Sequence, residues 1–328
     1  IIHFIGIGGI GMSGLAQIMN NMGFIVQGSD LSSNKNTDRL INAGIKVYIN
    51  HNKKNIKKAT MAVVSSAIKK NNPELIASKR KKIPIFKRGE VLANIVALKK
   101  NIVIAGSHGK TTTTSLIANI LAKAGLDPTI INGGVINSLK NSARLGKGDW
   151  AVIESDESDG SFLKLPVTYS IVTNLDKEHL DFYNTFAKLK KSFHSFLEKT
   201  PSFGKSIICL DNKNLKSLLY KSNAKNFLTY GFNKHSNYQI FNVRNKKKFS
   251  IYDLKVKVIG SKVFKIENIQ VNLLGNHNVS NSTASVAIAL NLGIKINIIK
   301  RALKKFSGIQ RRFTKVFSIN NKDFYDDY

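Results

Sequence analysis

Several features that define whole classes of proteins are scarce in this sequence. Its 328 residues include one cysteine, Cys209, which cannot form an internal disulfide and therefore suits a reducing compartment. No apolar run reaches the ~18–20 residues that a membrane-spanning helix needs, and the opening IIHFIGIGG lacks the charged start and cleavage site of a signal peptide. We therefore expect a cytoplasmic protein. The hydrophobic fraction of 42% excludes a disordered chain, and the length is sufficient for two domains and the start of a third.

Acidic residues are also scarce, since 20 Asp and Glu stand against 51 Lys and Arg and the formal net charge is +31. Such a balance can indicate a nucleic acid partner or a nucleotide substrate. The lysine-rich runs at 79–82 and 246–248 have no interleaved aromatic residues, which single-strand binders use for base stacking. Asn and Ile are abundant beside Lys, as in an AT-rich genome. We therefore expect no nucleic acid partner and attribute the charge to composition.

Two successive α/β units are predicted by alternating strand and helix patterns. In residues 1–98, apolar strands such as FIVQGSD and MAVVSS alternate with helical segments, which predicts a Rossmann-like parallel sheet covered on both faces. A new apolar strand, NIVIAG, begins the second unit, which extends over residues 99–307. Within it, short alternating segments at 226–274 predict a small antiparallel patch attached to the main sheet.

A first phosphate-binding motif lies between a predicted strand and a predicted helix. Gly6, Gly8 and Gly11 fit the pattern G-x-G-x-x-G, and Gly9 adds a further glycine. Glycine lets the backbone turn tightly and approach a diphosphate, which the helix N-terminus then binds through its free N–H groups. Asp30 ends the next strand, where an acidic residue would contact a ribose hydroxyl in a NAD site. The motif alone leaves open which diphosphate compound binds, or whether the glycines serve only packing.

A second and more specific motif follows the strand NIVIAG. The segment AGSHGKTTT leads into a helix, the context that a phosphate-binding loop requires. Backbone N–H groups would surround the phosphates, Lys110 would meet the β- and γ-phosphate oxygens, and the Thr111 hydroxyl would ligate Mg²⁺. The loop departs from G-x-x-x-x-G-K-[ST] because Ile104 stands at the first glycine. It predicts a P-loop nonetheless.

Two polar clusters follow later strands of the second unit. Glu154, Asp156, Glu157 and Asp159 lie within six residues after the strand DWAVI, where a carboxylate beside a P-loop would be a second Mg²⁺ ligand. A solvated turn is the alternative, and it is the favoured interpretation for Asp159. His179, in TNLDKEHLD after another strand, is a candidate to ligate a metal or contact phosphate. The other histidines discussed have no companions at ligand spacing and are interpreted as structural or surface residues: His3, His51, His194 and His235.

Together these segments resemble the Mur ligases. The resemblance extends over essentially the whole chain, and its most specific pieces are HFIGIGGIGMSGLA, VVSSAI, AGSHGKTTTTSLIA, ESDESDGSF, TNLDKEHLD, GNHNVSN, GIQRRF and the final DDY. Within the family, GIGGIGMSG is similar to the alanine-adding branch. The resemblance implies a UDP-sugar domain at 1–98, a central ATP-binding P-loop domain at 99–307, and the start of a truncated amino-acid-binding domain at 308–328.

The resemblance also implies the reaction and its ligands. ATP, with Mg²⁺, would phosphorylate the lactyl carboxylate of UDP-N-acetylmuramate, and L-alanine would attack the resulting acyl phosphate to form an amide. Lys110 would hold the γ-phosphate, Thr111 and Glu154 would ligate Mg²⁺, and His179 would assist a second metal. Further ATP contacts are implied at Gly106, Ser107, His108, Gly109, Thr112, Asn278, Asn281, Arg312 and Asp327. UDP-sugar contacts are implied at Gly8, Gly9, Gly11, Ser13 and Asp30.

Three alternatives remain open at this point. Another Mur-type amino-acid or peptide ligase would share the same chemistry. A NAD-dependent oxidoreductase would explain the first motif, but hydride transfer needs no P-loop. A nucleic-acid-stimulated NTPase would explain the P-loop and the charge of +31 together.

Overall fold

The computed structural model describes residues 1–137, 141–219, 226–258, 262–308, 314–319 and 322–326. Its first unit is a five-stranded sheet in the order β3-β2-β1-β4-β5, in which every pairing is parallel. The strands are β1 Ile2–Ile5, β2 Val26–Asp30, β3 Lys46–Ile49, β4 Met61–Val64 and β5 Ile85–Lys87. The helices are α1 Ile10–Asn21, α2 Lys35–Asn42, α3 Pro73–Arg80 and α4 Arg88–Val96.

Local signals explain where the helices of the first unit begin. The side chain of Asn34 accepts hydrogen bonds from the backbone of Asn36 and Thr37 and thereby caps α2. Asn72 caps α3 in the same way, and Pro73 occupies the first helical position, where no N–H is needed. By contrast, α1 begins after Gly9 with no side-chain cap, so its first N–H groups have no side-chain acceptor at the cap.

The second unit is a ten-stranded sheet in the order β15-β14-β13-β12-β11-β10-β6-β9-β7-β8. Its parallel core runs from β13 to β7, and antiparallel pairs add β14 and β15 at one edge and β8 at the other. The strands are β6 Lys100–Ala105, β7 Thr129–Ile136, β8 Asn141–Arg144, β9 Trp150–Glu154, β10 Tyr169–Val172, β11 Ser206–Cys209, β12 Phe227–Gly231, β13 Tyr238–Asn245, β14 Ser250–Val256 and β15 Phe264–Val271. The helices are α5 Lys110–Lys123, α6 Leu180–Tyr183, α7 Phe186–Glu198, α8 Lys213–Leu219, α9 Asn276–Asn291 and α10 Ile296–Lys304, with a 3-10 turn at Ser161–Lys164. A separate antiparallel pair, β16 Thr314–Ile319 and β17 Lys322–Asp326, follows.

The two units pack closely against each other. Helix α1 contacts β8, and a Cβ built on Gly14 would lie only 2.8 Å from the Cβ of Ala143. Helix α4 contacts the 3-10 turn, where Lys164 Nζ lies 2.7 Å from Glu90 Oε1. The amino-terminal ends of α1 and α4 are therefore held beside the second sheet, and this contact creates the cleft described below.

The α/β fold class predicted from the sequence is confirmed, and the antiparallel segment at 226–274 is present as β13–β15 on the edge of the large sheet. Strands β7 and β8 were not predicted. Their segment contains Asn132, Gly133 and Gly134, which are typical of a turn, but β7 continues through them, and its pairing with β9 covers residues 129–131. Among the described residues, every helix is too short or too polar to cross a bilayer.

Candidate functional site

The N-terminal glycine loop joins β1 to α1 and is held by polar side chains of the neighbouring segment. The N–H of Gly8 donates to Asp30 Oδ2 at 2.7 Å, and the N–H of Leu31 donates to Asp30 Oδ1 at 2.8 Å. Asn36 Nδ2 donates to the Gly8 carbonyl at 2.8 Å. Both Asp30 oxygens therefore accept backbone hydrogen bonds, so this carboxylate shapes the loop from the side of β2.

The other residues predicted for the UDP-sugar divide into two groups. Gly9 and Gly11 line the open cleft beside the start of α1. Ser13 lies one turn further along α1, is 7% exposed, and donates its hydroxyl to the Ile10 carbonyl at 3.0 Å. The structure thus brings the glycines to the cleft, whereas it uses the Ser13 hydroxyl inside the helix.

The second loop joins β6 to α5. Gly106 and Gly109 both have positive φ, at 136° and 81°, which glycine adopts without strain. Lys110, the first residue of α5, folds back over this loop, and its Nζ donates to the Gly106 carbonyl at 2.5 Å and to Glu157 Oε1 at 2.6 Å. Thr111 and Thr112 follow on α5 and are buried. The geometry is that of a phosphate-binding loop whose lysine is close to a carboxylate.

The segment after β10 forms hydrogen bonds with the loop between β6 and α5. Thr173 Oγ1 donates to the His108 carbonyl at 2.6 Å, and Asn174 Oδ1 accepts from the His108 N–H at 2.7 Å. The N–H of Asp176 donates to Ser107 Oγ at 2.9 Å. Ser107 and His108 are therefore fixed through their backbone and hydroxyl groups, while the His108 ring is 65% exposed.

Glu154 ends β9, which pairs with β6, so its side chain lies beside the start of α5. The Thr111 hydroxyl donates to Glu154 Oε1 at 3.0 Å, and the N–H of Gly133 donates to Oε2 at 2.6 Å. Burial raises the pKa of Glu154, although the Gly133 N–H and the charge of Lys110 oppose this rise. Ionising this carboxylate is therefore costly, and a bound cation would favour its ionised form.

Glu157 is the acidic residue whose importance the sequence did not reveal. Its side chain is 3% exposed and lies between Lys110 and His179, whose Nε2 is 3.5 Å from Glu157 Oε1. Its Oε2 is buried, with no hydrogen-bond partner among the described residues. Burial raises the pKa of Glu157, and Lys110 opposes that rise. The sequence placed Glu157 in the acidic cluster, but it did not show which carboxylate of that cluster is buried.

The donor set at Thr111 and Glu154 fits Mg²⁺. Mg²⁺ prefers oxygen ligands and keeps several waters, so one carboxylate and one hydroxyl suffice beside phosphate oxygens. His179 lies with Glu157 instead, and in the described part of the chain no three His, Cys, Asp or Glu residues converge as a ready metal cage. The structure therefore brings two of the three predicted metal ligands together and places the third beside a different carboxylate.

The residues predicted for the adenine side lie on α9, next to the P-loop. Asn281 is 7% exposed, and a Cβ on Gly109 would come within 2.5 Å of its Oδ1. Asn281 Nδ2 donates to Asn278 Oδ1 at 3.4 Å, and Asn278 Nδ2 donates to the Leu274 carbonyl at 2.8 Å. Arg312 and Asp327 lie outside the described residues.

Both loops open into one cleft of about 340 Å³. Gly9 and Gly11 line it from the first unit, and Lys110 and Glu154 line it from the second. Arg88, the first residue of α4, also lines it and was not predicted. No local pattern distinguishes this residue among 51 Lys and Arg, so sequence reasoning had no signal for it.

A second polar cluster lies under the first sheet, away from the cleft. Glu74 is fully buried on α3; its Oε2 lies 3.4 Å from His3 Nε2 and 3.0 Å from His51 Nδ1. Ser29 donates to the same oxygen at 2.5 Å, and Asn55 donates to Oε1 at 2.6 Å. Burial alone would raise the pKa of Glu74, but these contacts outweigh it and lower the pKa to about 2. His3 and His51 are therefore structural residues here.

The fold and the paired loops define an α/β protein in which two glycine-containing strand–loop–helix units face one cleft. Family comparison then identifies it: residues 1–100 match the model described as Mur ligase family, catalytic domain, and residues 104–289 match the Mur ligase middle domain. The chain belongs to the Mur ligase family.

Among its relatives, the UDP-N-acetylmuramate–L-alanine ligase of Pelagibacter ubique is 60% identical over 328 residues, covering 100% of this chain and 71% of that protein. The ligase of the same name from Rhodospirillum centenum is 45% identical and is covered over 68% of its length. Among solved structures, MurC from Thermotoga maritima gives a TM-score of 0.88 at 27% identity, over 100% of this chain and 74% of that one. The UDP-N-acetylmuramate:L-alanyl-γ-D-glutamyl-meso-diaminopimelate ligase from Neisseria meningitides gives a TM-score of 0.83 at 27% identity, over 94% of this chain and 99% of that one.

Proposed function

We propose that this protein is an ATP-dependent ligase that joins L-alanine to the lactyl carboxylate of UDP-N-acetylmuramate. The observation that carries the proposal is the shared cleft, in which Lys110 and Glu154 of the P-loop side face Gly9 and Gly11 of the other loop. A ligase that activates a carboxylate with ATP needs both substrates in one space. The names of the relatives supply the substrates.

The proposal assigns one nucleotide to each unit. Residues 1–98 hold the UDP-sugar, with its diphosphate at the backbone of Gly9 and Gly11 next to Gly8, and residues 99–307 hold ATP. Asp30 acts indirectly there, because it fixes the loop through the Gly8 N–H. Residues 308–328 begin a third domain that contributes to amino-acid binding.

On the ATP side, the loop N–H groups between Gly106 and Thr112 surround the phosphates, and the ammonium of Lys110 binds the oxygens of the transferred group. Thr111 and Glu154 would hold Mg²⁺, which neutralises phosphate charge when bound. Asn278 and Asn281 lie beside the loop on α9, where the adenine is expected. His179 and Lys110 both contact the same oxygen of Glu157, Oε1.

The chemistry follows from the low reactivity of a carboxylate. One carboxylate oxygen attacks the γ-phosphorus of ATP, the bond to the bridging oxygen breaks, and ADP leaves with an acyl phosphate formed. The neutral amine of L-alanine then attacks the acyl carbon, phosphate leaves with the bonding electrons, and the surplus proton of the nitrogen passes to water. The protein contributes position and charge compensation, chiefly through Lys110.

Phosphate release by the gene product that contains this chain tests the proposal. Release should require UDP-N-acetylmuramate, L-alanine and Mg²⁺ together, and the product should gain one alanyl residue by mass spectrometry. UDP-N-acetylglucosamine, which lacks the lactyl carboxylate, is the matched control and should give none. Absence of release with the complete mixture would overturn the assignment.

The same assay separates the alternatives. The tripeptide L-alanyl-γ-D-glutamyl-meso-diaminopimelate as the preferred acceptor would indicate the peptide ligase named for the Neisseria structure. Stimulation by a polynucleotide, or oxidation of NADH without phosphate release, would indicate the NTPase or the oxidoreductase.

A further inference from the structure

Arg88 occupies a position between the two phosphate-binding loops. It is the first residue of α4, and its side chain is 18% exposed. A Cβ built on Gly11 would lie 3.3 Å from both Cδ and Nη1 of Arg88, so the side chain lies directly over the first turn of α1. Its guanidinium therefore faces the part of the cleft that the glycine loop forms.

One nitrogen of the guanidinium forms an ion pair with a carboxylate of the second unit. Arg88 Nη2 donates to Asp156 Oδ2 at 3.1 Å, and in the described part of the chain no other nitrogen of this guanidinium has a hydrogen-bond partner. A guanidinium carries five N–H donors, so most of its capacity is unused. The side chain of Asp156 is 44% exposed. Partly exposed ion pairs stabilise a fold little, which makes a purely structural role a weak explanation.

The remaining donors suit a diphosphate. The planar fork of arginine matches two phosphate oxygens at once, and the uncapped first turn of α1 presents backbone N–H groups beside it. The first turn of α1 also contains no acidic residue that would repel an anion. Lys110, which also lines the cleft, is paired with Glu157 of the second unit.

We propose that Arg88 is a binding residue for the diphosphate of the UDP-linked substrate, and that Asp156 competes with the diphosphate for its guanidinium. This inference rests on the proposed function, because it assumes a UDP-sugar at the glycine loop. It predicts opposite effects for the two partners of one ion pair. Removing the cation weakens binding, whereas neutralising its competitor strengthens binding.

Calorimetric titration with UDP, without ATP or Mg²⁺, tests the proposal. Arg88→Ala should raise the Kd of UDP roughly 10- to 100-fold, because charge-assisted hydrogen bonds are lost. Arg88→Lys keeps the charge without the fork and should lie between Arg88→Ala and the unaltered protein. Asp156→Asn should lower the Kd several-fold. UDP-N-acetylglucosamine and UDP-N-acetylmuramate should show the same ratios.

Lys164→Ala is the matched control, since it breaks the Lys164–Glu90 pair that also joins α4 to the second unit but does not line the cleft. Its Kd for UDP should stay unchanged, and circular dichroism should show that every variant is folded. Arg88→Ala behaving like Lys164→Ala, or Asp156→Asn weakening binding, would overturn the proposal. An effect confined to UDP-N-acetylmuramate would assign Arg88 to the carboxylate instead. Failure of the unaltered protein to bind UDP would overturn the proposed function as well.

Discussion

The two glycine-containing loops share a strand–loop–helix geometry but differ in the charges around them. At the N-terminal loop, Asp30 and Asn36 hold the backbone of Gly8, and the charged group that lines the cleft is the guanidinium of Arg88 over the first turn of α1. At the P-loop, Lys110 meets Glu157 within 2.6 Å, and Glu154 lies beside Thr111. A loop that only binds a diphosphate needs N–H donors, which we propose its backbone and Arg88 supply. A loop that transfers a phosphoryl group also needs charges that compensate the transition state.

The largest effect expected from this comparison is that of Lys110→Ala. Loss of the ammonium beside the transferred phosphate should lower kcat about 10²- to 10⁴-fold, or roughly 3–5 kcal/mol of transition-state stabilisation. The affinity for the UDP-sugar should stay nearly unchanged, because we propose that this nucleotide binds the other loop. Phosphate release and UDP calorimetry measure the two quantities.

Lys123→Ala, at the exposed C-terminal end of the same helix, is the control and should leave both quantities unchanged. If Lys110→Ala reduced UDP-sugar affinity as much as turnover, the two loops would not be independent and the comparison would fail.

The buried carboxylates of the two units also differ, because their pKa values are shifted in opposite directions. The pKa of Glu74 in the first unit is lowered to about 2, whereas the pKa values of Glu154 and Glu157 are raised. A lowered pKa means that ionised Glu74 stabilises the fold. Raised values mean that ionised Glu154 and Glu157 cost stability, which is expected of groups retained for a reaction.

Acid denaturation measures this contrast. Glu74 should contribute its full stabilisation above pH 4.5 and lose it as the pH falls from 4.5 toward about 2, a loss on the order of 3 kcal/mol in the free energy of unfolding. Glu74→Gln should lower that free energy at pH 7 and flatten the acid limb of its pH dependence. Urea titrations followed by circular dichroism at several pH values check both.

Glu154→Gln is the paired variant in the second unit. Since burial penalises its charged form, the substitution should leave the free energy of unfolding at pH 7 unchanged or higher, while phosphate release is lost. A destabilisation equal to that of Glu74→Gln would contradict the division into a structural and a functional carboxylate.

The sequence alone predicted one part of the fold and of the candidate site, and not the other. The strand–loop–helix units around Gly8 and Lys110 were predicted because glycine spacing and apolar periodicity are local properties. Glu154 was predicted from its place after a strand. The partners that give these residues their properties come from distant segments: Glu157 turns back onto Lys110, and Arg88 reaches Asp156 across 68 positions. Such contacts depend on how the sheets pack, which no local pattern records.

The role of Asp30 shows the same limit. The spacing after the glycine motif predicted a ribose contact, and the resemblance implied a contact to the UDP-sugar. In the structure both of its oxygens accept backbone hydrogen bonds from Gly8 and Leu31. The motif located the residue correctly at the end of β2. It could not tell whether the carboxylate meets the ligand or the loop that binds the ligand.

The smallest effect is expected for Gly9→Ala in the N-terminal loop. A Cβ on Gly9 would find its nearest neighbour, the Gly6 carbonyl oxygen, at 3.8 Å, so alanine fits the protein but its methyl group enters the cleft. Gly9→Ala should therefore raise the Kd of UDP about tenfold, by loss of close contact with the diphosphate. Thermal stability and the affinity for an ATP analogue should not change.

Gly8→Ala provides the contrasting case, because its Cβ would lie 2.6 Å from Asn34 Nδ2 and 2.9 Å from Asp30 Oδ2. The clash displaces the side chains that hold the loop, so this variant should lose about 1–3 kcal/mol of stability along with UDP affinity. If Gly9→Ala instead weakened the ATP analogue and left UDP unaffected, the diphosphate would not lie at this loop. The first unit would then need a different ligand, and the division between a loop that binds and a loop that reacts would be wrong.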